Sequence, residues 1–219
     1  MSVIQEIKKL LENFNLENQE ILAEILSVEE NMRKLLENWS HFSSDEKIQL
    51  CTIFERVESL PIEVADLAKE EEDLKVKASL VKSLYRVKDE TVIEKLAEFL
   101  KHEDRRVRAN AVEALGIIHS HKVKELLLPY LDDPDNRVRA NTAVALWKYP
   151  EIREEVKKTF EEMLKDSNKW MKASAFYAFG EIGIREFLEQ LMQDLYNHDE
   201  DLAKNAFLAL ISYSEKYSE

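Results

Sequence analysis

Apolar side chains recur at helical spacing along most of this chain, and they do so in register with a repeat. From Asp104 onward, Val107, Ala111, Ala114, Leu115 and Ile118 fall on one side of a helix. The same layout opens at Asp73, Asp104, Asp135, Asn168 and Asp199, at intervals of 31, 31, 33 and 31 residues. Each opening Asp or Asn is placed to accept from the first free backbone N–H groups of its helix. Between these motif helices the pattern predicts partner helices at Ile62–Lys69, Thr91–Lys101, His121–Leu131, Ile152–Lys165 and Ile184–Tyr196. Pro61 suits a first helical turn, whereas Pro134 and Pro150 separate one helix from the next. A fixed period of this size signals units that cannot bury their apolar faces alone and must stack.

Small residues keep the same register. Ala78, Ala109, Ala140 and Ala173 form one column, and Ser83, Ala114, Ala145, Ala178 and Ala209 form another. Such columns let successive helices approach closely. Gly116 and Gly180, near two helix ends, lower helix persistence and allow close backbone approach.

The first sixty residues are less regular. Val3, Ile7, Leu10, Leu11 and Phe14 suit a short amphipathic helix, and Ser44 and Asp45 can cap one carrying Ile48, Cys51, Thr52 and Val57. Between them Ile21, Ile25, Val28, Met32, Leu35 and Trp39 follow a heptad, widened by Leu22, Leu26 and Leu36. A heptad seam can pair with a second chain, but a face this wide suits packing inside its own chain. Residues 1–60 are therefore expected to form a helical cap with a degenerate repeat. Residues 61–219 carry the regular repeats, continuous with the cap in one solenoid, and a monomer is expected.

Composition narrows the class. Only 3 Gly and 4 Pro, against 34% charged residues, leave little material for strand turns, and 45% hydrophobic residues supply a continuous core. The single Cys51 fits a reducing cytosol, no apolar run reaches membrane-spanning length, and the N-terminus lacks a signal-peptide layout. A cytoplasmic location is expected. The net charge of −13 argues against a surface built wholly for phosphate.

The pattern Asp-x-x-Val-Arg-x-x-Ala-x-x-Ala-Leu-Gly, nearly whole from Asp104 to Gly116, resembles the HEAT repeat, particularly the bacterial HEAT-like type named after phycobilisome lyases. The resemblance runs from about Pro61 to Tyr213. It implies an all-α fold, a right-handed α-solenoid of about five to six helix pairs whose motif helices line a concave surface. It also implies that the Arg after the Val joins neighbouring repeats through the loop Asp. Those roles fall on Arg108 and Arg139, with Asp104 and Asp135, and in weaker form on Lys77 and Lys172. Ala203 departs from the pattern in the last repeat.

On the motif helices, the second, sixth, ninth and thirteenth residues after each opening share one narrow arc opposite the core stripe. The resemblance turns this arc toward the concave groove. Its first three rows carry Lys75, Lys82 and Arg86, then Arg106, then Arg137 and Lys148, with Glu113 as the one acid. Later rows turn apolar, with Trp170 and Tyr177 beside Val144 and Leu208. A basic half beside an aromatic half suits a protein or peptide partner with an acidic segment and an apolar anchor. The sixth-residue column is Ser79, Asn110, Asn141, Ser174 and Asn205; these either bond an extended peptide or serve the stack.

Other candidates carry less. His119 and His121 lack a third ligand nearby, and Asp132, Asp133 and Asp135 match no calcium loop. Cys51 sits on an apolar face, and no phosphate loop, nucleophile elbow or paired-carboxylate motif is present. No metal, cofactor or catalytic residue is expected. The leading function is a non-catalytic adaptor or scaffold. The alternative is a nucleic-acid protein similar to the HEAT-like alkylpurine DNA glycosylases, in which Trp170, within Asp166–Lys172, would take the base-recognition role. The segment Trp-Trp-Asp expected of that family is missing. Lyase activity finds no support in Cys51 alone.

Overall fold

The computed structural model describes residues 2–217. Among them are fourteen α-helices joined by turns and short 3-10 segments. They are α1 (Val3–Leu11), α2 (Leu16–Leu26), α3 (Glu29–Glu37), α4 (Ser44–Phe54), α5 (Glu63–Glu70), α6 (Leu74–Ser83) and α7 (Val92–Phe99). There follow α8 (Arg105–Ile117), α9 (His121–Leu127), α10 (Asn136–Leu146), α11 (Arg153–Lys165), α12 (Lys169–Ile182), α13 (Leu188–Asp194) and α14 (Glu200–Tyr217). One isolated parallel bridge joins Leu60 and Val87. None of these helices is long and apolar enough to cross a membrane. Among the described residues the fold is all-α, built of packed helix pairs, and the chain divides into two compact units whose boundary in sequence falls between Leu115 and Gly116.

The repeat openings start helices for the predicted reason. Asp73 accepts from the N–H groups of Lys75 and Val76, Asp135 from Arg137 and Val138, and Asp199 from Asp201 and Leu202. Asp104 and Asn168 cap α8 and α12 through Arg106 and Trp170. Each cap satisfies donors that the first turn would otherwise leave unpaired.

In the first unit α4 packs on α6, and α5 covers α6. Leu50, Ile53, Phe54, Val76, Leu80 and Leu84 are fully buried there. A polar contact that the sequence pattern does not signal joins the cap to the repeats. Glu71 accepts from the Trp39 indole at 3.0 Å and from Lys47 at 2.8 Å, with its side chain only 7% exposed.

The heptad from Ile21 to Trp39 is corrected. Ser27 donates its hydroxyl to the Ala23 carbonyl, Val28 turns extended (φ −84, ψ 118), and the stripe breaks into α2 and α3. Val28 and Ile21 are left exposed, while Leu22, Leu26, Met32, Leu35 and Trp39 are buried within the chain.

In the second unit the motif helices α10, α12 and α14 pack in succession, with α11 on α12 and α13 on α14. Phe160, Phe176, Phe179 and Phe187 cluster between them, and the rings of Phe179 and Phe187 stack at 4.3 Å. Two partner helices are shorter than the spacing predicts. Pro129 lacks the N–H that would continue α9, so Leu128–Asp132 tightens to a 3-10 segment. Ahead of α13 the chain leaves α12 through Gly183 at φ +68 and makes a 3-10 turn at Arg185–Phe187. Gly116 and Gly180 do not end their helices; they allow close approach. A Cβ on Gly180 would lie 2.8 Å from the Ala209 carbonyl oxygen, and one on Gly116 would lie 2.8 Å from the Ala145 Cβ.

Candidate functional site

The predicted arc proves to hold two kinds of residue. The thirteenth-residue column forms a ladder onto the end of the preceding motif helix. In the first unit Arg86 donates to the Glu55 carbonyl at 2.5 Å. In the second, Lys148 donates to the carbonyls of Gly116 (2.8 Å) and Ile118 (3.2 Å), and the Ser212 hydroxyl donates to Gly180 at 3.3 Å. The last carbonyls of a helix have no internal partner and carry partial negative charge, so a cation there satisfies both needs. Burial depresses the Lys148 ammonium pKa below the ordinary lysine value.

Two further cations have acidic partners. Lys82 lies 3.5 Å from Glu55 and 3.3 Å from Glu113. Arg106 grips Asp104 through Nε (3.1 Å) and Nη2 (2.8 Å), and this fork holds the Asp104 carboxyl down at about 2. Arg86, Arg106, Lys148 and Lys82 are thus engaged within the chain. Lys75 and Arg137 are exposed.

In the sixth-residue column the stack also has a use for amides and hydroxyls. Asn110 is 8% exposed and donates across to the Ala78 carbonyl at 2.8 Å. Ser174 accepts from Asn136 at 2.6 Å, whereas Ser79 and Asn205 bond back to Lys75 and Asp201 in their own helices. Asn141 is half-buried in α10. The Val-Arg positions meet the loop ahead of their own helices. Arg108 donates to the His102 and Glu103 carbonyls at 3.0 and 2.8 Å, Lys77 to Lys69 at 3.4 Å, and Arg139 lies 3.5 Å from Asp132.

On α12 and α14 the second unit also presents exposed apolar groups. Trp170 is 49% exposed, Tyr177 54% and Leu208 51%. Trp170 and Tyr177 stand two turns apart on α12, hence on one face. Helix α14 lies alongside in fixed register, since Lys169 reaches Asp201 at 2.7 Å near one end and Ser212 reaches Gly180 near the other. The Lys169 ammonium stands 5.1 Å from the Trp170 ring centroid, which orients the indole without covering it. Phe207 and Ile211 on α14 are also exposed, and their place in the repeat gave no sign of it.

The repeat register, the Asp caps and the packed small-residue columns lead to one family. Residues 63–147 match the family described as HEAT repeats. Over those residues the chain is similar to HEAT-repeat proteins. None of the curated proteins compared matches it. Among solved structures, the chain is similar to an engineered protein at 20% identity, covering 90% of this chain and 98% of that one with a TM-score of 0.41. A second engineered protein is 16% identical over 96% and 97% of the two chains, with a TM-score of 0.45. A third structure, of computationally designed armadillo repeat proteins for modular peptide recognition, is 16% identical over 95% and 98%, with a TM-score of 0.36. Likenesses of this grade carry no argument about what the chain binds.

Proposed function

We propose that this chain is a non-catalytic cytoplasmic adaptor of the HEAT-repeat kind that holds a protein or peptide segment against the arc of its motif helices. The observation that carries this reading is the pair Trp170 and Tyr177, two large aromatic side chains half-exposed on one helix face with Leu208 beside them. Tryptophan and tyrosine dominate interface energy when a partner desolvates them, and adjoining exposed apolar groups mark such surfaces. The cations that close helix ends are left out of the contact surface.

The test compares capture of native partners by the wild type and by a Trp170→Ala/Tyr177→Ala double variant. Loss of capture with an unchanged melting curve is expected. Full capture by the folded variant would count against this surface.

A further inference from the structure

A trough in the first unit has no part in the arc. Helix α3 and the loop ahead of α5 enclose a cavity of about 630 Å³ floored by Leu26, Met32, Leu36 and Leu60. A second cavity of about 360 Å³ shares Leu36 and Glu37 with it and is lined further by Leu67, Glu70 and Glu72. The larger volume falls in the range that takes small ligands or anchoring side chains. Its walls are fixed in advance. The Leu60 N–H donates to the Arg86 carbonyl at 3.0 Å, and Asn31 ties the α2–α3 corner by donating to the Ile25 carbonyl at 3.0 Å.

The rim is mainly acidic. Glu29, Glu37 and Glu63 edge the first cavity, and Glu70 and Glu72 edge the second. The two cations lining the trough are already engaged by carboxylates, Arg33 by Glu30 and Lys47 by Glu71. An apolar floor inside an acidic rim, on a chain of net charge −13, favours one chemistry. We propose that the α3–α5 trough binds a peptide segment presenting an apolar anchor flanked by Lys or Arg. The floor supplies affinity by burying the anchor, and the rim carboxylates select the flanking charge. Two adjoining cavities suit a chain segment, and the negative rim repels phosphate backbones. The site lies in a different unit from Trp170 and prefers the opposite charge, so its success or failure is independent of the adaptor reading.

The probe is a fluorescein-labelled amphipathic peptide of Leu and Lys, followed by anisotropy. Its controls are a Leu/Glu peptide of the same pattern and a Lys/Ser peptide without anchors. The Leu/Lys peptide should bind the wild type and both controls should fail. Glu37→Lys with Glu63→Lys, both exposed, should weaken binding about tenfold or more. Glu162→Lys with Glu189→Lys makes the same charge change on the other unit and should alter affinity by less than about twofold. Far-UV circular dichroism checks folding, and the milder Glu37→Gln/Glu63→Gln pair gives a smaller loss should the reversal unfold the chain. Equal losses from the two Lys pairs, binding of the Lys/Ser peptide, or no loss from the Gln pair would each overturn the proposal.

Discussion

The Lys148 ammonium donates to the Gly116 carbonyl at 2.8 Å across 32 residues of chain. A position that reads along the sequence as a groove cation therefore closes the end of a helix. Lys148→Met should cost about 1–2 kcal/mol, because it removes a charged donor from carbonyls with no other helical partner. Lys75→Ser, at an exposed position, should stay within about 0.5 kcal/mol of the wild type. Urea unfolding of both variants measures the difference, and equal losses would contradict the ladder.

Asn110 makes the same kind of link from a buried position, donating to the Ala78 carbonyl. Asn110→Leu should destabilise by about 1–3 kcal/mol, since it removes a buried hydrogen bond between helices and forces a bulkier apolar side chain into its place. Asn205→Ala, which removes only a bond back to its own helix, should change stability by less than about 0.5 kcal/mol. Chemical denaturation of the two single variants separates the cases.

Gly180→Ala sets two effects against each other. Alanine favours an exposed helix interior over glycine by about 1 kcal/mol. Here, however, the new methyl would lie 2.8 Å from the Ala209 carbonyl oxygen and 3.1 Å from its Cα. Overpacking of this kind costs about 1–3 kcal/mol, so the net change should be a lower melting temperature. A rise would show that α12 and α14 separate easily.

The Asp104–Arg106 fork makes stability depend on acid. The carboxyl is held at about 2, chiefly by the Arg106 hydrogen bonds, against an ordinary value of 3.8. A depressed carboxyl adds stability above its unfolded value and loses it as pH falls through the folded one. The contribution should therefore fade between about pH 4 and pH 2. Asp104→Asn should be less stable than the wild type at pH 6, with the gap closing as pH approaches 2. Urea midpoints across that range provide the check, and a gap that stays constant would refute the assignment.

The fold was largely legible because one set of residues does one job in every repeat. Val107 and Val138 lie in the core, Asp73 and Asp135 cap, and the small columns pack, each following from local spacing alone. The site was legible only in part. Trp170 and Tyr177 stay exposed as their arc position implies, but Arg86, Lys82 and Lys148 reach partners about one repeat away. Charge type and helical phase give no warning of such contacts, because a lysine facing a groove and one facing a helix end share both. Glu71 was missed for a related reason. Its partners Trp39 and Lys47 belong to the irregular N-terminal stretch, where no repeat relates one position to another.

The central claim is that a partner rests on the α12 face carrying Trp170 and Tyr177. It is tested most directly by placing the photo-crosslinker p-benzoylphenylalanine at Tyr177 and, as a control, at the exposed Glu162 of α11. Irradiation in native lysate should give a discrete adduct from position 177 that Trp170→Ala removes, and none of that mass from position 162. No adduct at 177, or the same adduct at both positions, would contradict it.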